Sequence, residues 1–472
     1  MFMAEAESNQ GIKRKGPCNA NSPANHTESP NKFGYQLLSL GEWLAGSAEQ
    51  QSAAAGPSPL PMVDLRTQSE YSTHCLLSTQ VPIVNLPLSS LLSGERSCEL
   101  PPRHVEFAIL VPRDYISSFI ASSEATSCDE CIIHQLFFAT KSKSTAQTRK
   151  PWLVRQILLE SGEDFWMDAE RLQLLVEETT AKHDEDDAES SECSTLFCKL
   201  PRLWKPDPLV CSDVLPMLKE TIQQHMLTLN QQIDRTRVTG IVLDLGSGAG
   251  RDICFLAEEL KDWHQSTFHQ KMTSSTTDGD TLSANTQCPI QFVGIDNHKG
   301  SAKRCLPLWK YRGVQDITSS VSLNLEKLNE VADYFSSTIP FFSSTDAASD
   351  TFLCIYAIRY LNRKLLALLA HSSYKSTRQI NEDTASQQQH FISTNHTSIR
   401  LPKGTIIAIS HFCKPSSSTI WEFDHPKESQ VLSRWELRDL FCSVCWEIVK
   451  DEICLDGDHG RSLIQFVAVK IV

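Results

Sequence analysis

The chain is poor in several things whose absence narrows what it can be. No run of roughly 18 apolar residues occurs along its 472 residues, so no membrane-spanning helix is expected. Residues 1–32 have no apolar core, so they are expected to form a disordered lead-in and not a secretory signal. Positive charge is short. Its 44 Lys and Arg face 57 Asp and Glu, and the net charge of −13 opposes non-specific binding to nucleic acid. No second cysteine pair repeats the close spacing of Cys128 and Cys131. Cys193 and Cys198 stand further apart beside an acidic run, so no metal site is expected. The 16 cysteines, in a long chain without a secretory leader, read as reduced thiols of a cytoplasmic protein. Lys13-Arg14-Lys15 would suit a nuclear protein, although an isolated basic tripeptide is ordinarily solvated charge.

What is present describes globular domains joined by polar segments, with 40% apolar and 21% charged residues and a length that suits two domains. Composition divides the chain into residues 1–32, a first domain at 33–160, an acidic linker at 161–200 and a second domain at 201–472. Two polar stretches, 264–287 and 371–398, have too little apolar content to pack and are expected as insertions within the second domain. Strand patterns fall at 240–246, 290–296, 320–325, 351–358, 404–412, 446–454 and 463–471. Helical patterns follow the early strands, with Ile253, Leu256, Ala257 and Leu260 on one face. A short turn joins the last two strands, which implies a mostly parallel sheet with an antiparallel edge.

The segment VTGIVLDLGSGAGRDICFLAEEL (238–260) reads as a buried strand, a glycine turn and a helix. A dinucleotide loop follows G-x-G-x-x-G, but Arg251 stands where the third glycine would fall. Asp244, two residues before the first glycine, would repel a pyrophosphate and attract a cation. S-adenosylmethionine carries an ammonium and a sulfonium and no phosphate, so it suits this loop better. A tight turn without a ligand is the plainer alternative. Asp296 ends the next strand, where a carboxylate can accept both ribose hydroxyls of an adenosine. A helix N-cap would also explain it. Asn324 is placed to meet an adenine edge and Leu325 to pack on the ring face; Gly246, Ser247, Gly248, Gly250 and Asn297 complete the expected cofactor set.

VLDLGSGAGRD, FVGIDNH, NLEKL and DTFLCIYAIRYLNRKLL together resemble the class I S-adenosylmethionine-dependent methyltransferases, over residues 201–472. The resemblance implies that Asp244 and the glycines hold the methionine end of the cofactor and Asp296 its ribose. Asn324 stands where many members have Asp. On the acceptor side, Arg359, Tyr360, Asn362 and Arg363 follow the fourth strand, and His411 ends the fifth. Arg359, Tyr360 and His411 are the candidates for catalytic work, which stays unassigned, since orienting an activated donor supplies most of the rate. Trp204, in RLWKPDPLV, reads as a cap on the cleft or, more simply, as a packed anchor. The expected acceptor is a small molecule or a protein, with RNA less favoured. The rival reading is a cofactor-binding scaffold without methyl transfer.

A second set, VDLRTQSEY, His74 and VPIVNLPLSSL, resembles rhodanese-like domains. EFAILVP and HQLFFAT read as two further strands of a small parallel sheet. The resemblance implies a thiolate at the start of the loop after HQLFFAT. KSKSTAQTRKPW has no cysteine and Cys131 lies before the strand, so the domain is expected to be catalytically silent, with Arg149 and Lys150 leaving the loop basic. The fold class expected is therefore α/β: a rhodanese-like parallel-sheet domain, then a Rossmann-like, seven-stranded methyltransferase domain.

Overall fold

The computed structural model describes residues 35–49, 60–76, 81–103, 105–124, 131–138, 141–142, 145–148, 151–175, 201–229, 240–273, 290–338, 352–371, 399, 401–416, 420–442, 444–455 and 460–472. Arg149, Lys150, Cys128, Cys193, Cys198, the lead-in and most of the acidic segment lie outside them.

In the first unit the strands are β1 (Gln36–Leu38), β2 (Met62–Asp64), β3 (Ile83–Asn85), β4 (Phe107–Val111), a short antiparallel pair β5 (Lys141–Ser142) and β6 (Thr145–Thr148), and β7 (Val154–Leu159). The main sheet runs β1-β7-β4-β2-β3, with every pairing parallel. All of β2 and β4 is buried, as expected of a parallel sheet covered on both faces. Successive residues feed opposite cores: Val63 and Ile109 pack on one side, Met62, Ala108 and Leu110 on the other. The covering helices are α1 (Leu40–Glu49), α2 (Gln68–Thr73), α3 (Leu88–Leu92), α4 (Arg113–Glu124), α5 (Ile132–Phe137) and α6 (Glu163–Arg171).

Two sequence expectations change here. Over its described residues, 134–138, HQLFFAT is not a strand, because Ile133, His134 and Phe137 present one helical face of α5 to the core. Short apolar runs fit both periods, and tertiary packing decides between them. The first unit also does not end at residue 160. Phe165 and Ala169 of α6 are buried against Trp43 and Leu158, and Leu76 bridges to Leu175.

The second unit begins with a π-helical turn, Val210–Val214, that runs into α7 (Leu215–Leu229). There follow β8 (Gly240–Leu245), α8 (Arg251–Thr273), β9 (Ile290–Asp296), α9 (Lys299–Tyr311), β10 (Thr318–Ser322), α10 (Leu328–Thr338), β11 (Phe352–Ile358), α11 (Arg363–Ala370), β12 (Ile406–Phe412), α12 (Glu436–Phe441), β13 (Trp446–Cys454) and β14 (Leu463–Lys470). The sheet order is β10-β9-β8-β11-β12-β14-β13, antiparallel only where β14 pairs with β12 and β13. Ile241, Leu243 and Leu245 point into one core and Val242 into the other. Asp244 shares the face of Val242 by strand alternation. α8 continues to Thr273 with His264 buried, so the polar segment expected at 264–287 is helical over its first ten described residues, 264–273. β10 stops at Ser322, which leaves Asn324 and Leu325 in the turn beyond it. The chain adds strands to either side of β8, first β9 and β10, then β11 and β12. Its carboxyl end therefore lies where strand order reverses, the position at which sheets of this kind leave a crevice.

Candidate functional site

The chain must turn from β8 into α8 within five residues, and it does so through glycines in left-handed conformations. Gly246, Gly248 and Gly250 have φ of 77°, 56° and 67°. Two of them are also sterically required. A Cβ at Gly246 would lie 2.7 Å from the Tyr360 side chain, and one at Gly250 would lie 2.9 Å from Cys305 Sγ and from Trp309. Gly248 instead faces open space, with nothing but the Gly246 carbonyl within 4 Å of such a carbon.

β9 and α9 hold this turn in place. Gly246 and Ser247 N–H both donate to the Ile295 carbonyl, at 2.8 and 3.1 Å. Gly248 N–H donates to Asp296 Oδ2 at 2.9 Å, and His298 N–H to Asp296 Oδ1 at 2.7 Å. Each carboxylate oxygen keeps a second lone pair for a ligand. Beneath the turn, Cys305 Sγ donates to the Gly248 carbonyl at 3.5 Å and Trp309 Nε1 to that of Gly250 at 3.1 Å. Ser247 Oγ is buried and makes no hydrogen bond to any described residue.

Carboxylates crowd this end of the sheet. Burial, reinforced by the negative charges of Asp252 and Asp296, holds the Asp244 carboxyl well above the usual range, while the Tyr356 hydroxyl favours its charged form. Asp252, in the first turn of α8, is pushed up to about 6 by burial. It accepts the Asp207 N–H at 2.8 Å, which pulls the other way. Buried like charges raise one another's proton affinity, and a cation placed among them reverses the effect.

Asp207 links this cluster to β11 and β12. Its Oδ2 accepts Arg359 Nη1 at 3.1 Å and Ser410 Oγ at 3.0 Å. Arg359 has φ of 58°, a strained conformation for a residue with a side chain. Tyr360, next along, packs over Gly246, and burial raises its hydroxyl pKa. Sequence reading missed Asp207, Asp252, Tyr356 and Ser410. Asp252 alone carried a local signal, as an acidic residue opening a helix directly after the glycines.

The remaining candidates divide by role. Asn362 caps α11 through Leu365 N–H and donates Nδ2 to the Leu325 carbonyl at 2.8 Å, so it ties the turn after β10 to the end of β11. Asn324 Oδ1 accepts Glu326 N–H at 3.0 Å, and the Leu325 side chain is buried. Asn297 is exposed beside Asp296. Arg363 is a clamp: it pairs with Glu436 and donates to the carbonyls of Ser429 and Val431. His411 Nε2 meets the Gln430 carbonyl at 2.8 Å, and burial lowers its pKa to about 4, so it is neutral at physiological pH and holds a loop. That occupation argues against His411 as a general base. Trp204 is buried in the core behind α8 and is an anchor, not a cap.

In the first unit, Arg66 is buried and doubly bonded to Asp64, donates to the His74 carbonyl and lies 4.5 Å from the Trp166 ring. His74 stacks on the same Trp166 at 4.8 Å. VDLR and His74 therefore act as a structural staple. Because α5 ends at Phe137, the expected loop follows a helix and not a strand. The central strand β4 instead runs through Pro112 straight into α4, with no cysteine at that junction.

Neither a protein family nor a curated protein matches this sequence. Solved structures do match in part. The cyclase SpnF is 10% identical over 55% of this chain and 93% of its own, with a TM-score of 0.29. An S-adenosylmethionine-dependent methyltransferase from Aquifex aeolicus is 14% identical over 57% of this chain and 94% of its own, at 0.27. A geranyl diphosphate methyltransferase, solved with geranyl diphosphate and sinefungin, is 9% identical over 52% of this chain and 78% of its own, at 0.28.

Proposed function

We propose that the second unit binds S-adenosylmethionine at the carboxyl end of β8 and transfers its methyl group to a small-molecule or protein acceptor. The observation that carries this reading is the buried Asp244 carboxylate, crowded by Asp252 and Asp296 beside an open glycine turn. Such a site disfavours a pyrophosphate and favours a cation. The residues present fit the cofactor: Asp244 would hold its ammonium, Asp296 its ribose hydroxyls, and the turn at Asn324 and Leu325 its adenine. Ser247 Oγ, buried with no hydrogen-bond partner among the described residues, is a further polar group for it.

When bound, the cofactor supplies a methyl carried on a sulfonium. The chain's own part is orientation and the exclusion of water. Tyr360 closes over Gly246 and the Arg359–Asp207–Ser410 group fixes the floor on the acceptor side. With His411 committed to Gln430, we assign no general base. The first unit is proposed as a rhodanese-like domain without sulfurtransferase activity, in a cytoplasmic protein.

Titration calorimetry with S-adenosylhomocysteine, followed by incubation of labelled S-adenosylmethionine with fractionated extract, tests the reading. Binding with label transfer to one fraction is expected. A folded protein that binds neither compound would sink the proposal.

A further inference from the structure

We infer that the first unit buttresses the glycine turn, and that Arg251 is the positioning residue through which it does so. Arg251 follows Gly250 directly and opens α8. Its Nη2 donates to the Leu100 carbonyl at 2.6 Å and to the Cys98 carbonyl at 3.3 Å. Both carbonyls belong to the first unit, at a short turn over Ser97–Glu99. The Cys98 side chain packs in the same apolar cluster as Ile253, Cys254 and Trp309 of the second unit.

A second set of contacts fixes that turn against α9. Glu99, 1% exposed, accepts Arg96 Nε at 2.8 Å and lies 3.9 Å from Arg312 Nη2, just beyond the end of α9. The Arg96 guanidinium stacks 3.8 Å over the Tyr311 ring. Arg312 also lies 3.6 Å from Glu258 of α8, which pairs with Arg202 at 2.9 Å. Residues 201–209 then thread between the units, with Leu203 in the core of the first and Trp204 in that of the second.

The first unit thus touches both helices that flank the glycine turn. A guanidinium withdrawn from water must find acceptors, and the two that Arg251 Nη2 uses come from across the seam. Where Cys98 and Leu100 stand therefore sets where α8 begins, and with it the Gly248 amide and Asp252. This role needs no sulfur chemistry from the first unit. It rests on the reading that the turn holds the methyl donor.

The test uses the full chain with Arg251→Ala, Arg251→Lys and Glu99→Gln, the last of which loosens the seam without touching the glycine turn. Two readouts are taken: the Kd for S-adenosylhomocysteine, and hydrogen exchange of amides 246–253 in ligand-free protein. Arg251→Ala is expected to raise the Kd about tenfold, with Arg251→Lys intermediate and Glu99→Gln in the same direction. Exchange across the turn accelerates in all three while that of β8 does not. A Kd within about twofold of wild type in Arg251→Ala and Glu99→Gln, or unchanged exchange, overturns the inference. Should Arg251→Ala not fold, Arg251→Lys and Glu99→Gln decide it by the same readouts. If the wild-type chain binds no S-adenosylhomocysteine, the methyl-donor reading fails and hydrogen exchange alone still decides the buttress.

Discussion

Asp296 joins the end of β9 to the glycine turn by a single hydrogen bond, its Oδ2 accepting the Gly248 N–H at 2.9 Å. The same carboxylate holds His298 N–H through Oδ1, so one side chain sets both the turn and the entry to α9. Replacing it by alanine leaves two amides without their acceptor. We expect Asp296→Ala to lower the unfolding free energy of the ligand-free protein by about 1–3 kcal/mol in urea titrations. Asp296→Asn, with one acceptor left, should fall between it and wild type.

Asp244 is expected to separate stability from binding. Its burial among carboxylates disfavours the charged form, so Asp244→Asn should leave the melting temperature of the ligand-free protein unchanged or raise it. The same change should weaken S-adenosylhomocysteine binding by about a hundredfold, through loss of one charge-assisted contact. Calorimetry and thermal scans on one preparation check both. Undiminished affinity would remove Asp244 from the site.

Asp252 predicts a pH dependence. Its folded-state pKa of about 6 lies above the ordinary 3.8, so the native state holds this proton more tightly than the unfolded chain. Stability from this group is therefore greatest below about pH 4, declines by about 3 kcal/mol as pH rises to about 6, and is level beyond. Asp252→Asn, which keeps an acceptor for Asp207 N–H, should flatten that slope in denaturation series across the interval. Affinity for a cationic ligand should run the opposite way and rise with pH through about 6.

Gly246 tests the packing of the turn. Gly246→Ala places a methyl 2.7 Å from Tyr360 at a φ of 77°, and should destabilise the protein by about 3 kcal/mol. Adding Tyr360→Ala removes the overlap with the ring, but the contact with the Tyr360 Cβ at 2.7 Å and the backbone strain remain. The double variant should therefore recover only part of the loss, as measured by the shift in urea midpoint.

Much of the second unit was legible because its signals are local. Six consecutive buried residues from Gly240 to Leu245 mark a strand covered on both faces, and the three glycines mark a chain that must adopt positive φ before a helix. Where signals were short or shared, reading failed. α5 carries an apolar run that suits either period. α8 continues through polar residues that looked like a loop. β10 ends early because the Asn324 side chain closes a turn on Glu326 N–H.

The sequence by itself determined that a strand–glycine–helix turn carries Asp244 and that Asp296 ends the following strand. Periodicity and backbone φ are properties of adjacent residues. Tertiary structure alone decided that Asp207 would meet Arg359 across 152 positions and that Arg251 would reach Leu100 across 151. It also decided that His411 would hold a loop. A polar side chain's role depends on which partner shares its burial, and that partner is chosen by how distant segments pack, not by neighbours in the chain.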